Sequence, residues 1–174
     1  MHGGAAPLSF AQRRLWFLEQ LEPGSAYNVP IALELLGELS ASRLESALNA
    51  LICRHESLRT RFVVRDGVPI QQILAARPIV VVHEELALAP NRSAEDELVQ
   101  TRASILCARP FDLANDELIR ALLLKLGQGR HALLLSIHHI VVDGWSMGVF
   151  LREVSALYAG DTLSPLAIQY ADYA

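Results

Sequence analysis

Apolar residues recur along this chain with two periods, one of two residues and the other of three to four. The first period is typical of strands and the second of amphipathic helices. We predict strands at 28–39, 58–64, 68–74, 79–82, 118–126 and 132–137, and helices at 9–21, 42–56, 93–107 and 147–158. Because hairpins and helices are mixed along the chain, this order predicts an α+β fold, with helices packed on a mixed, largely antiparallel sheet.

Small polar residues mark the starts of the predicted helices. The pattern Ser-x-x-Gln from Ser9 and the pattern Ser-x-x-Glu from Ser42 are both typical of capping boxes. Ser93 is the predicted cap of the third helix. Gly160 is the predicted end of the last helix, because glycine readily adopts the left-handed conformation found there.

Turn and loop residues divide the predicted strands. Asp66-Gly67 predicts a hairpin between the second and third strands. Pro30 has no backbone N–H to donate, so the beginning of its strand is expected to lie at a sheet edge or to be unpaired. Loops are expected at 87–92 and 127–129, and an extended linker at 163–168.

The composition fits one folded unit with a substantial apolar core. The chain has 174 residues, of which 52% are hydrophobic and 20% are charged. This content suits a single globular domain, or a lobe whose apolar surface meets a partner. The net charge of -4 gives no basis for binding a nucleic acid backbone. No apolar run approaches the roughly 20 residues that span a bilayer, so no membrane partner is expected.

The N-terminal residues and the cysteines lead us to expect a cytoplasmic protein. Residues 1–7 lack the basic and apolar regions of a signal peptide and are expected to be a tag or linker remnant. Cys53 and Cys107 lie among apolar neighbours on predicted helices. We expect both to be buried thiols in a reducing compartment.

Two adjacent histidines end the most apolar strand of the chain. Residues 132–137 are apolar on both alternating faces, which predicts a buried central strand. Side chains alternate along a strand, so His138 and His139 are expected to point to opposite sides of the sheet. Asp143 and Gly144 follow, and Gly144 is expected to supply the backbone freedom of an Asp-Gly turn.

This histidine pair has a catalytic and a structural interpretation. An imidazole titrates near neutral pH and can take a proton from an attacking amine or alcohol. Asp143, four residues after His139, either orients that imidazole or pairs with an arginine. The structural alternative is a buried, hydrogen-bonded histidine pair that ends the strand. A metal site is disfavoured, because adjacent histidines on opposite faces do not easily bind one ion.

Charged residues follow the second predicted helix. Arg59 and Arg61 share one face of the predicted strand, where they must be solvated or paired because an unpaired buried charge is costly. A buried arginine–aspartate pair is therefore plausible on physical grounds. His55 lies in this charged stretch and is expected to be exposed rather than catalytic.

Four segments together resemble the motifs of one protein family. The segments are 9–18, 54–62, 138–146 with the pattern HHxxxDG, and 170–174. In this order they are similar to the N-terminal half of condensation domains of nonribosomal peptide synthetases, which belong to the chloramphenicol acetyltransferase-like superfamily. The resemblance implies a two-lobed fold, with residues 8–160 as the N-terminal lobe and 161–174 as a linker towards a C-terminal lobe.

The resemblance also assigns roles to the residues of the site. It implies that His139 is required for amide bond formation and that His138, Asp143 and Gly144 support the active site. It implies that an arginine pairs with Asp143, for which Arg54 and Arg59 are local candidates and the C-terminal lobe is another source.

The expected activity is condensation of two thioesters. Donor and acceptor carrier proteins would present them on phosphopantetheine arms, so the domain itself is expected to bind no cofactor or metal. Other expected partners are the C-terminal lobe and adjacent synthetase domains, with the chain monomeric and inactive by itself. The alternatives are an epimerisation domain, a stand-alone coenzyme A-dependent acyltransferase and a non-catalytic recruitment platform. Residues 54–62 favour condensation over epimerisation, and the intact HHxxxDG pattern counts against the platform.

Overall fold

The computed structural model describes residues 4–86, 91–127 and 129–174 as two sheets with packed helices. The strands are β1 (Ala5–Pro7), β2 (Asn28–Leu36), β3 (Thr60–Arg65), β4 (Val68–Ile73), β5 (Val81–Glu85), β6 (Ile119–Gly127) and β7 (Arg130–His138). The helices are α1 (Phe10–Leu21), α2 (Ala41–Arg54), α3 (Arg92–Ala108), α4 (Gly144–Ala159) and α5 (Tyr170–Tyr173). The predicted α+β class is confirmed. The loops predicted at 87–92 and 127–129 lie partly outside the described residues, at 87–90 and at Gln128.

β7 lies inside a four-stranded sheet with the strand order β2-β7-β6-β5. It pairs antiparallel with β2 and β6, while β5 pairs parallel with β6. β7 is apolar on both faces because helices cover both. Leu133 and Leu135 belong to the core cluster that includes α2 and α4, whereas Leu134 packs in a second cluster against α3. The predicted central strand is therefore confirmed, and Pro30 lies on edge strand β2, as predicted.

A smaller antiparallel sheet has the order β1-β4-β3. The predicted hairpin between β3 and β4 is confirmed, with positive φ angles of 52° at Asp66 and 76° at Gly67. β1 pairs with β4, and the carbonyl of Gly4 accepts a hydrogen bond of 2.9 Å from the N–H of Ile73. Residues 5–7 therefore pair with the edge of β4, and the origin of residues 1–7 as a tag or linker remnant stays a prediction.

Two of the predicted helix ends are confirmed. Ser9 Oγ accepts a hydrogen bond from the backbone N–H of Gln12, and Gln12 Oε1 accepts one from the N–H of Ser9, so the capping box of α1 is complete. Gly160 ends α4 in the left-handed conformation. Among the helices of the described ranges, none combines the length and apolar character that a bilayer span requires.

Two other helices begin one or two residues before the predicted cap. Ser40, not Ser42, caps α2 by accepting a hydrogen bond from the N–H of Arg43. Asn91, not Ser93, caps α3 by accepting a hydrogen bond from the N–H of Ala94. In both cases an earlier polar residue already accepts from one of the free N–H groups of the first turn, so the predicted cap residue lies inside the helix.

Several strand boundaries also differ from the prediction, three of them with a clear physical reason. β2 ends at Leu36, where its partner β7 begins and Gly37 turns the chain with a φ of 95°. β5 begins at Val81, where its pairing with β6 begins. Arg59 lies in a 3₁₀ turn, Glu56–Arg59, rather than in a strand, so it does not share a strand face with Arg61.

The cysteines are less buried than expected. Cys53 is exposed and Cys107 is half-buried, and both are free thiols. The buried face of α2 is formed by Leu44, Leu48 and Leu51. Since successive helix residues are rotated by roughly 100°, Cys53 points away from that face.

Candidate active site

The adjacent histidines at the end of β7 have opposite environments. His138 is the last residue of the strand and its side chain is completely buried. His139 follows in a turn, where its backbone N–H donates a 2.8 Å hydrogen bond to the carbonyl of Tyr27 while the residue itself is exposed. The divergence predicted from strand alternation is therefore present, and only His139 offers its imidazole to a ligand.

His138 shapes the turn that carries His139. Its Nδ1 accepts a 3.1 Å hydrogen bond from the backbone N–H of Ile140, and its ring packs against Tyr27 and Phe111. Burial, with a smaller contribution from the neighbouring His139 charge, lowers the pKa of His138 to about 4. His138 is therefore neutral near pH 7, and because Nδ1 accepts, its proton lies on Nε2.

A buried carboxylate from α1 faces His138. Glu19 Oε2 lies 3.7 Å from His138 Nε2, too far for a hydrogen bond, and neither atom has a hydrogen-bond partner among the described residues. Glu19 Oε1 accepts a 3.1 Å hydrogen bond from the N–H of Gly24. At this distance the carboxylate forms no hydrogen bond to the ring, so burial governs the pKa of His138.

Asp143 starts helix α4. Its Oδ1 accepts a 2.7 Å hydrogen bond from the N–H of Ser146, whose Oγ accepts one of the same length from the N–H of Asp143. The backbone hydrogen bond from Ser146 is the main reason that the pKa of Asp143 is lowered, and the nearby His139 charge adds to it. Gly144 is the first residue of α4 and has no positive φ, so the expected need for glycine in an Asp-Gly turn is corrected.

Neither local candidate, Arg54 or Arg59, pairs with Asp143 in the described structure, so these two assignments are corrected, while an arginine from the C-terminal lobe stays a prediction. Arg54 Nε donates to Glu153 Oε2 at 3.0 Å. Arg59 Nη2 donates to Glu56 Oε1 at 3.1 Å, and its Nη1 donates to the carbonyl of Leu74. The physical reason is the packing of α2 on α4, which brings Arg54 to the middle of α4 while Asp143 remains at its start.

All four sequence motifs contribute to one cavity of about 400 Å³. It is lined by Leu15 of the first motif, His55 of the second, His139 and Val142 of the third, and Tyr170 of the fourth. Most of its lining is apolar, with a few polar groups among them. Such a cavity can hold an apolar chain and direct a few hydrogen bonds at it. Among the described residues, no cluster of His, Cys, Asp and Glu has the arrangement of a metal site.

The C-terminal segment 161–174 contributes Tyr170 to this cavity and is bound to the residues around it. Gln169 Oε1 accepts a 3.1 Å hydrogen bond from the N–H of Glu56, and Gln169 Nε2 donates a 3.0 Å hydrogen bond to the carbonyl of Arg54. The Tyr170 hydroxyl lies 2.9 Å from Ser9 Oγ. The segment lacks regular structure up to α5, as expected for 163–168, yet it is fastened to the first two motifs.

The sequence prediction missed the role of His55. It is half-buried, not exposed, and its Nε2 lies 2.7 Å from Glu153 Oε2. Burial of Glu153 favours its neutral form, but the hydrogen bonds and charges of His55 and Arg54 outweigh burial and leave the pKa of Glu153 lowered. No sequence signal joins these residues, because 98 positions separate His55 from Glu153.

Comparisons with known proteins agree with this arrangement. The sequence model of the condensation domain family matches residues 3–174. A linear gramicidin synthase of Brevibacillus parabrevis is 44% identical over 98% of this chain. The X-domain from teicoplanin biosynthesis has a TM-score of 0.85 at 32% identity over 99% of the chain. The first condensation domain of the CDA synthetase has a TM-score of 0.82 at 27% identity, again over 99%.

The chain spans only part of each relative. It covers 2% of the gramicidin synthase, 38% of the X-domain chain and 45% of the CDA condensation-domain chain. The match nevertheless extends over nearly all of this chain and includes all four motifs around the cavity. This chain belongs to the condensation domain family of nonribosomal peptide synthetases.

Proposed function

We propose that this chain is the N-terminal lobe of a domain that forms amide bonds between two carrier-bound thioesters. The observation that carries the proposal is the exposed His139 imidazole beside a largely apolar cavity lined by all four motifs. His138 is buried and neutral, and Asp143 is engaged in the cap of α4, so His139 is the group of the HHxxxDG pattern that is free to meet a substrate.

The proposed step is an aminolysis of a thioester. The amine nitrogen of the acceptor attacks the donor carbonyl carbon, a C–N bond forms and the C–S bond breaks. The amine loses one proton and the departing thiolate gains one. His139 either takes the proton from the amine or holds the amine in place while the tetrahedral intermediate forms. An α-amine has a pKa near 8, so roughly a fifth of it is already neutral at cellular pH.

The proposed partners follow from this step. Donor and acceptor carrier proteins deliver the substrates on their own phosphopantetheine arms, so the lobe needs no bound cofactor or metal. A C-terminal lobe, reached through residues 161–174, completes the substrate channel, and adjacent synthetase domains supply the carriers. The chain by itself is therefore proposed to be inactive, because half of the channel is absent.

The test uses a two-lobed protein, in which this chain continues into the C-terminal lobe of a condensation domain. Loaded donor and acceptor carriers are added, and intact-carrier mass spectrometry measures dipeptide on the acceptor. His139→Ala should reduce turnover by roughly 10²–10⁴-fold without loss of folding. His83→Ala is the matched control, because His83 is an exposed histidine of β5 outside the cavity, and it should retain turnover.

Three outcomes would contradict the proposal. Turnover of His139→Ala at the wild-type rate would remove the catalytic role of that residue. Exchange of the acceptor's α-proton in deuterated water, without dipeptide, would indicate epimerisation. Product from free acyl-coenzyme A, but not from loaded carriers, would indicate a stand-alone acyltransferase.

A further inference from the structure

His55 presents an imidazole to the same cavity as His139, but with a different partner. Its Nε2 lies 2.7 Å from the Glu153 carboxylate, which can only accept a hydrogen bond when ionised. Nε2 therefore carries a proton, and in the neutral tautomer that this contact selects Nδ1 holds a lone pair. Nδ1 forms no hydrogen bond within the described residues, and this atom is not buried. The structure thus leaves one accessible acceptor on this ring.

Glu153 is itself held firmly. Its side chain is largely buried, and Arg54 Nε donates to the same Oε2 at 3.0 Å. Arg54 Nη1 also donates to the carbonyl of Ser164 at 2.6 Å, which ties the group to the C-terminal segment. Arg54 balances the charge of Glu153, so this carboxylate serves to fix the ring orientation of His55.

His55 contacts α4 about ten residues after Asp143, the residue beside His139. Glu153 follows Asp143 by ten residues, about 15 Å along the helix axis at 1.5 Å per residue. His139 lies close enough to Asp143 for its charge to lower the pKa of that carboxyl. Because the carboxylate that holds His55 lies about three helix turns from the one beside His139, we infer that the two imidazoles meet different groups of an extended substrate. A ligand of His55 belongs to a more distant part of an extended substrate.

We propose that Nδ1 of His55 accepts a hydrogen bond from a substrate amide N–H that lies away from the reacting amine. The proposal rests on the proposed function. A chain that enters a largely apolar cavity loses water from its amide groups, so an unpaired N–H there is costly and a placed acceptor is favourable. An ammonium group is disfavoured at this position, because the Arg54 guanidinium lies beside it on the same carboxylate. The amide belongs either to the donor's peptidyl chain or to the pantetheine arm.

Kinetics of the two-lobed protein with matched substrates test the proposal and separate the two sources. The first pair is a dipeptidyl donor and its analogue with the peptide amide replaced by an ester. The second pair is a pantetheine thioester and an alkyl thioester of equal length without amides. Wild type should prefer the amide member of one pair by about three- to tenfold in kcat/KM, the usual effect of one neutral hydrogen bond. The pair that shows the preference identifies the source.

Two variants assign this preference to His55. His55→Phe keeps a planar ring but has no acceptor, so it should lose the preference while still forming product. His55→Gln retains an acceptor oxygen and should recover part of it. The proposal would be overturned if wild type and His55→Phe showed the same ratio of kcat/KM values within the first pair and also within the second pair. Product formation by wild type in the same assay shows that the proposed function itself has not failed.

A second measurement does not depend on activity. Long-range ¹H–¹⁵N correlation spectra of the 174-residue chain, recorded above neutral pH, report which nitrogen of His55 carries the proton. The expected result is a protonated Nε2 and an unprotonated Nδ1. A protonated Nδ1 would leave no acceptor for a substrate amide and would overturn the proposal, whatever the kinetics.

Discussion

Lowering the pH from about 7.5 to about 5 should destabilise the folded chain through His138. The ring is completely buried, its Nδ1 accepts from the N–H of Ile140, and its pKa falls from 6.5 to about 4. Between these two values the unfolded chain binds a proton at this residue that the folded chain excludes. Acid therefore favours the unfolded state, so the stability present above pH 6.5 is lost as the pH falls towards 4.

The expected size of the effect follows from the two pKa values. Each pH unit between them corresponds to ~1.4 kcal/mol, so the complete loss is about 3 kcal/mol by pH 4. By about pH 5 the loss is about 2 kcal/mol. Below the folded pKa both states bind the proton, and the contribution of His138 stops changing. Typical domains have a total stability of roughly 5–15 kcal/mol, so this loss is readily measured.

Urea unfolding at several pH values between about 4 and 7.5 measures this effect, provided that carboxylate titration is subtracted. His138→Asn serves this purpose, because its amide oxygen can accept from Ile140 and does not titrate. The free energy of unfolding of wild type minus that of His138→Asn should fall by about 2 kcal/mol from pH 7.5 to 5. Ile137→Val is the matched control, because it weakens the same strand by about 1 kcal/mol without removing a titrating group.

The result that would refute this reasoning is a pH-independent difference between wild type and His138→Asn. It would mean that His138 takes up its proton equally well in the folded chain. A difference that grows as the pH falls would place the folded pKa above 6.5 and would make Glu19, 3.7 Å from Nε2, the dominant neighbour.

Two further predictions concern hydrogen bonds that hold the cavity walls. Asp143→Ala removes the cap of α4 and should lower the free energy of unfolding by about 1 kcal/mol. Asp143→Asn keeps an acceptor oxygen and should remain near wild type. Equal losses for the two variants in thermal or urea unfolding would argue against a capping role. Gln12→Leu removes the 3.0 Å hydrogen bond to Gln71, leaves that buried amide oxygen unpaired and also removes the acceptor of the Ser9 N–H in the capping box, at a combined cost of about 2–4 kcal/mol. The Gln12→Leu, Gln71→Leu double variant can recover only the Gln71 part, so partial recovery of stability would support this cause and a further additive loss would contradict it.

The elements of this fold could be predicted because their signals are local. The apolar run of β7 and the complete capping box at Ser9 both specify structure within a few residues. Boundaries were wrong where two polar residues compete for one helix start. Ser40 and Ser42 are both acceptable caps, and only the folded chain selects Ser40.

The arrangement of the strands could not be obtained in this way. Alternation indicates that residues 79–82 favour an extended chain, but it does not state that β5 pairs parallel with β6. It also gave no reason to pair residues 5–7 with β4 as the edge of a separate sheet. Strand pairing depends on contacts between distant segments, and short polar or mixed strands carry little information about their neighbours.

In the site, too, features set by adjacent residues were predictable, whereas contacts between distant residues were not. Strand alternation correctly separated His138 from His139, because it depends only on adjacent residues. The partners of the charged residues were not predictable. Arg54 and Glu153 are 99 positions apart, and they meet because α2 packs on α4. Spacing alone suggested Asp143 as the carboxylate near His139, and it gave no indication of Glu153.

Helix α4 connects the two ends of the cavity and supports them differently. Asp143 fixes its first turn beside His139, and Glu153, about three turns later, orients His55. Fraying from a lost cap is largely confined to the first turn, and Glu153 is held separately by Arg54. A change at Asp143 should therefore disturb the position of His139 while leaving His55 in place. The aspartate of the HHxxxDG pattern thus supports the end of the cavity beside His139, and the Arg54–Glu153 pair supports the end that we propose binds the rest of the substrate.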